Sequence, residues 1–195
     1  MPHLQPGMTV GLFGGSFNPP HEGHLLVAKL ALQRLGLDQL WWLVTPGNPL
    51  KSGNGLAPLA ERLALSDSMA GDPRIRVTAI EKTLGTAYTA RTIRHIIRRN
   101  PAVHFVWIMG ADNLGDFHRW QEWRRIAGTV PIAVIDRPGA TLTYLSSKAA
   151  RALDKARVPE RAARALPRMK PPAWTFIHGP RSAISSTALR QENKR

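Results

Sequence analysis

Residues Thr9 to Leu25 read TVGLFGGSFNPPHEGHL. Thr9 to Phe13 is apolar with β-branched members, the signature of a strand. Gly14 to Glu22 is rich in Gly, Asn and Pro, the signature of a turn. From Gly23 onward, Leu25, Leu26, Ala28, Leu32 and Leu35 recur at helical spacing, and Gly36 supplies a stop. A strand that enters a helix through a glycine turn opens a βα unit. Gly14 and Gly15 let the backbone pass close to a ligand. The helix start offers N–H groups and a positive dipole end to an anion. His21 and His24, three apart, can face one point across a helical turn. Two imidazoles beside a helix N-terminus suit a polyphosphate, because they donate hydrogen bonds without burying a permanent charge.

The same stretch excludes other readings. No G-x-x-x-x-G-K-[ST] occurs, so this is not a P-loop, and Gly11, Gly14 and Gly15 lack the dinucleotide-binding spacing. Metal ligation by His21 and His24 lacks a third ligand at suitable spacing, because Glu22 would point elsewhere. No metal ligand is therefore assigned to the chain.

Outward from this unit the alternation continues. Leu40 to Val44 (LWWLV) reads as a strand buried on both faces. Thr45 to Leu56 reads as a loop and Ala57 to Ala70 as a helix. Ile75 to Ile80 reads as a strand, and Thr89 to Arg99 as a helix with Ile93, Ile96 and Ile97 on one side. A strand at His104 to Met109, helical segments over Asn113 to Ile126 and a strand at Val130 to Ile135 follow. Leu145 to Leu166 reads as a basic, alanine-rich helical stretch broken near Pro159. Trp174 to Ile177 reads as a last strand and Ser186 to Asn193 as a last short helix. The pattern predicts an α/β fold: a Rossmann-like, doubly wound, mostly parallel sheet with helices on both faces. Residues 1–195 form a single domain in this reading, with 146–172 as a basic helical insertion. Ligands of such sheets bind beyond the carboxyl ends of the strands, which selects the loops after Phe13, Val44, Met109 and Ile177.

Composition narrows the class. A chain of 195 residues with 43% apolar residues can bury a sizeable core. No apolar run approaches the ~18 residues of a membrane-spanning helix, so no membrane partner is expected. Met1 to Gly7 shows no secretory pattern, and cysteine is absent, so a cytoplasmic protein without disulfides is expected. Lys and Arg number 27 against 13 Asp and Glu, a net charge of +14 that attracts anions. Between Leu145 and Lys170 stand eight Lys/Arg and two Asp/Glu, which reads as a solvated helix face.

GGSFNPPHEGH, from Gly14 to His24, resembles the G-G-[ST]-F-[DN]-P-x-H-x-G-H motif of the nucleotidylyltransferase superfamily. About 160 residues later, Ile184 to Arg190 (ISSTALR) resembles that superfamily's I-S-[ST]-x-x-[RK] segment. TPGNPLK (Thr45 to Lys51), AYTARTI (Ala87 to Ile93) and GADNLGDFHRW (Gly110 to Trp120) resemble, more narrowly, the bacterial nicotinate mononucleotide adenylyltransferases. The resemblance covers nearly the whole chain. It implies ATP and nicotinate mononucleotide as partners, Mg²⁺ bound mainly through the ATP phosphates, and pyrophosphate as leaving group. A homo-oligomer is compatible with it.

Residue by residue, the resemblance implies that His21, His24 and Arg190 are catalytic, contacting the ATP phosphates. Gly14, Gly15, Ser16 and Phe17 would line the nucleotide with backbone groups. Ser185, Ser186 and Thr187 would meet phosphate oxygens at a helix start, Lys51 a phosphate, and Asp112 a ribose hydroxyl. Trp120 would stack on the nicotinate ring while Thr89 and Ala90 receive its carboxylate. Two positions depart from the common pattern: Asn18 stands where aspartate is frequent, and Gln121 where an aromatic is often found. Phosphopantetheine adenylyltransferase shares the first motif but matches AYTARTI and the Asp112 to Trp120 spacing poorly. The basic charge raises nucleic-acid binding as a reading from another class. No zinc-finger spacing, RNP-type strand or convincing helix-turn-helix accompanies it, so nucleic acid is not expected as the main partner.

Overall fold

The computed structural model describes residues 2–47, 55–136 and 144–180, with Ser186 and Arg190. Six strands form one sheet: β1 (Thr9–Gly15), β2 (Gln39–Val44), β3 (Ile75–Thr78), β4 (His104–Gly110), β5 (Ile132–Ile135) and β6 (Trp174–Ile177). Their order is β3-β2-β1-β4-β5-β6, and every pairing is parallel. The Rossmann-like, doubly wound expectation is met, with the sheet wholly parallel among the described strands. Strand order reverses between β1 and β4, so a crevice opens where their carboxyl ends diverge.

The helices divide between the two faces. Helices α1 (Glu22–Leu35) and α2 (Leu59–Ala70) pack on one side. Short α3 (Ile80–Thr83), α4 (Thr89–Arg99), α5 (Ala111–Asp116), α6 (Trp123–Thr129) and α7 (Lys148–Ala152) pack on the other. Successive strand residues point to opposite faces, so Leu40, Trp42 and Val44 meet α1 and α2, while Trp41 and Leu43 enter the core under α4. This double burial explains the uninterrupted LWWLV run. Helix α1 ends where the sequence places its stop: Gly36 is left-handed at φ 63°, and the Leu37 N–H returns to the Leu32 carbonyl.

Two expected elements differ. The strand expected over Ile75 to Ile80 ends at Thr78, because Ile80 begins α3 and buries its side chain under α4. The helical stretch expected over Leu145 to Leu166 is not one broken helix. It is α7 followed by 3-10 turns at Asp154–Ala156 and Glu160–Arg168. Pro159 and Pro167 lack the N–H groups an α-ladder needs. Ala163 and Leu166 recur three apart, the 3-10 period, and bury against the α1 side of the sheet. Arg161, Arg164 and Arg168 remain exposed, so the basic charge here does lie on a solvated face. No described helix is long and apolar enough to cross a membrane.

Candidate active site

The carboxyl end of β1 runs directly into the histidine pair. His21, only 4% exposed, is the N-cap of α1, and its Nδ1 accepts the Gly23 N–H at 3.1 Å. His24 Nδ1 accepts the His21 N–H at 3.2 Å, closing a reciprocal box. Ser or Thr paired with Glu usually builds this motif; here two imidazoles do. Because both Nδ1 atoms accept, a neutral ring at either position carries its proton on Nε2. The ring centroids lie 3.8 Å apart, so both donors belong to one spot at the helix N-terminus.

Aromatic packing fixes that spot. Phe17 is fully buried with φ 45°, a region a bulky L-residue enters only under constraint. Its ring stacks on Trp42 at 4.9 Å and lies 4.8 Å from the His24 ring. Gly14 needs its missing side chain: a Cβ there would come within 2.6 Å of the Trp107 ring.

Asn18 gives the departure from aspartate a structural reason. Its Nδ2 donates to the Gly55 carbonyl at 2.8 Å, while its Oδ1 accepts the Ala57 N–H at 3.0 Å. A carboxylate could do only the second. Arg190 and Ser186 close on the same turn. Arg190 Nη1 donates to the Asn18 carbonyl, and Ser186 Oγ donates to the Pro19 carbonyl at 3.0 Å. The two sequence segments thus meet in space. Ser185, Thr187 and Lys51 lie outside the described residues, as do parts of the loop after β2 and of the expected last helix.

The other expected residues also lie at the carboxyl edge. Thr89 and Ala90 form the first turn of α4, Thr89 half-buried and Ala90 buried. Trp120 is half-buried, edge-on to Phe117 at 5.4 Å and to Trp107 at 6.2 Å. Trp107 therefore touches both the glycine turn and Trp120. Its burial agrees with the core role its position on a strand implies; Trp123 is half-buried, against Phe117 and under the Arg124 guanidinium. Asp112 is the second residue of α5, exposed, directly after β4. Among the described residues, no group of three or more His, Asp or Glu side chains could hold a metal ion.

Three buried charged residues escaped the sequence reading: Arg62, Glu81 and Asp136, which directly follows β5. Arg62 is 1% exposed, and burial pushes its guanidinium below the ordinary arginine value. Glu81 is 5% exposed; burial raises its carboxyl above the usual range, while the Thr45 and Thr92 hydroxyls pull it the other way. Thr92 donates to Glu81 Oε1 at 3.1 Å, tying α3 to α4. Arg62 shares its stripe of α2 with buried Ser66 and Ala70.

Fold and site together define a Rossmann-like α/β protein whose strand-reversal crevice gathers groups suited to phosphate. The cytidylyltransferase-like family matches residues 12–192. A probable nicotinate-nucleotide adenylyltransferase of Rhizobium johnstonii is 68% identical over 190 residues, covering 97% of this chain and 96% of that one. One from Mesorhizobium japonicum is 64% identical and covers both chains fully. Among solved structures, Plasmodium falciparum nicotinic acid mononucleotide adenylyltransferase complexed with NaAD shares the fold with a TM-score of 0.70 at 17% identity, over 94% of this chain and 83% of that one. The chain belongs to the nicotinate-nucleotide adenylyltransferases of the cytidylyltransferase-like family.

Proposed function

We propose that the chain transfers the adenylyl group of ATP to nicotinate mononucleotide, releasing pyrophosphate and forming nicotinate adenine dinucleotide, a step of NAD biosynthesis in the cytoplasm. The observation that carries this reading is the meeting of the two distant segments. Arg190 and Ser186 dock on the turn that leads into the histidine cap.

The chemistry fits the residues. The attacking group is a phosphate, already an anion, so no general base is needed. What remains is to hold two anions in line and to stabilise charge on the departing pyrophosphate. The Nε2–H groups of His21 and His24, the Arg190 fork, the Ser185, Ser186 and Thr187 hydroxyls and the Lys51 ammonium are suited to that. Backbone groups of Gly14, Gly15, Ser16 and Phe17 line the nucleotide, and Asp112 accepts from a ribose hydroxyl. Trp120 offers a ring face to the nicotinate, with Thr89 and Ala90 at its carboxylate. The donors are mainly N–H and hydroxyl groups, which fits Mg²⁺ carried on the phosphates rather than in a protein cage. Bound there, the ion neutralises polyphosphate charge.

Pyrophosphate release from ATP and Mg²⁺, measured with each acceptor in turn, tests the proposal. Release with nicotinate mononucleotide supports it; release only with phosphopantetheine, or with neither, contradicts it.

A further inference from the structure

Arg62 reaches from α2 beneath the glycine turn. Its Nη1 donates to the Ser16 carbonyl at 2.7 Å and to the Thr45 carbonyl at 2.8 Å, and its Nε donates to the Ala57 carbonyl at 2.9 Å. Among the described residues, no carboxylate pairs with it. A cation taken out of water without an anion is costly unless hydrogen bonds compensate. Three carbonyls from three segments do so here: the turn after β1, the start of the loop after β2, and the entry to α2. Asn18 ties the first and third of these segments independently.

The consequence concerns one peptide. The Ser16 carbonyl and the Phe17 N–H belong to the same planar trans unit, so they point in opposite directions. Arg62 draws the carbonyl inward toward α2, which turns the Phe17 N–H outward. No described hydrogen bond takes up that N–H. The adjoining Phe17 backbone sits at φ 45°, a conformation that persists only where its surroundings hold it.

We propose that Arg62 is a positioning residue for adenylyl transfer: it locks the Ser16–Phe17 peptide so that the Phe17 N–H is presented to the nucleotide phosphates. A lysine keeps the charge but has one nitrogen, and it cannot reach three carbonyls as a planar fork does. Methionine keeps the stem and removes both charge and donors.

This rests on the adenylyl-transfer reading, so the first measurement separates the two. Protein labelled with [¹⁵N]phenylalanine shows five amide signals, one for each Phe. Magnesium and a non-hydrolysable ATP analogue should shift the Phe17 amide most. No shift in any signal would count against nucleotide binding itself, and shifts that spare Phe17 would overturn the positioning role alone. The second measurement is kinetic. Arg62→Lys should raise the KM for ATP or lower kcat, with a combined loss of about a hundredfold in kcat/KM for ATP, the scale of a misplaced site. The acceptor KM should stay within about twofold, and Arg62→Met should be worse than Arg62→Lys, since it loses charge and donors together. Folded variants with unchanged kcat/KM for ATP, or with both KM values raised alike, would overturn the proposal. The amide measurement on the unaltered protein decides the matter if neither variant folds.

Discussion

The Nη1 of Arg190 donates to the backbone carbonyl of Asn18, a contact between residues 172 positions apart. It brings a bidentate cation to the turn that precedes the histidine cap, at the helix end where an anion is favoured. Arg190→Lys keeps the charge and loses the fork. The expected outcome is a fall in kcat of about ten- to a hundredfold, with fold stability changed by less than ~1 kcal/mol, because the contact lies at the edge of the core. Steady-state kinetics beside urea denaturation checks this. Unchanged kcat would remove Arg190 from the reacting centre.

His21 has two tasks that one substitution can separate. Asparagine is as good an N-cap as any residue, so His21→Asn should cost only a few tenths of a kcal/mol, whereas His21→Ala should cost about 1 kcal/mol. Both remove the Nε2–H. Both should therefore lower turnover by roughly 10²–10³-fold, the usual effect of losing one transition-state donor. His24→Ala should show a loss of the same order. A His21→Asn variant that turned over normally would leave His21 with the cap alone.

Trp120 stands between the core and the crevice, with Phe117 and Trp107 against its ring. Trp120→Ala should raise the KM for nicotinate mononucleotide well above any change in the KM for ATP. The stacking contribution of such rings, about 1–3 kcal/mol per base in related contacts, corresponds to roughly five- to 150-fold. A change confined to ATP would contradict the assignment.

Glu81 makes a prediction about pH. Burial raises its carboxyl in the folded state, while the unfolded chain ionises in the ordinary range. Its contribution to stability is therefore fully present below the ordinary glutamate pKa of about 4.3 and is lost as pH rises through the raised folded value. Glu81→Gln keeps an acceptor for Thr92 and removes the titration. Denaturant melts at a series of pH values should show the variant gaining on the parent as pH increases from acid toward neutral. A gap that does not vary with pH would mean that Glu81 ionises normally inside the fold.

The layering and the turn chemistry were legible because each rests on local signals. The βα opening at Thr9, the double-faced burial of LWWLV and the glycine stop at Gly36 are properties of short windows. The histidine pair was readable from its three-residue spacing, although the Nδ1 capping that sets the tautomer was not. Arg62 and Glu81 were missed because their partners come from elsewhere in the chain: Ser16 lies 46 residues from Arg62, and Thr92 lies 11 from Glu81. A charged residue in an otherwise buried stripe reads as surface until its acceptors are known. Ile80 misled for the opposite reason, since an apolar residue after a strand can as easily bury at the start of a helix. The stretch from Leu145 was over-read as helix because alanine content favours helices, while the prolines at 159 and 167 and the three-residue burial period decide for 3-10 turns.

Adenylyl transfer breaks the bond between the α- and β-phosphates of ATP, and the fate of labelled phosphorus reports which bond is cut. With ATP labelled at the α-phosphorus, Mg²⁺ and nicotinate mononucleotide, the label should appear in nicotinate adenine dinucleotide. With ATP labelled at the γ-phosphorus, it should appear in pyrophosphate alone. Label from the γ-position in the acceptor, or a dinucleotide without the α-label, would contradict the account.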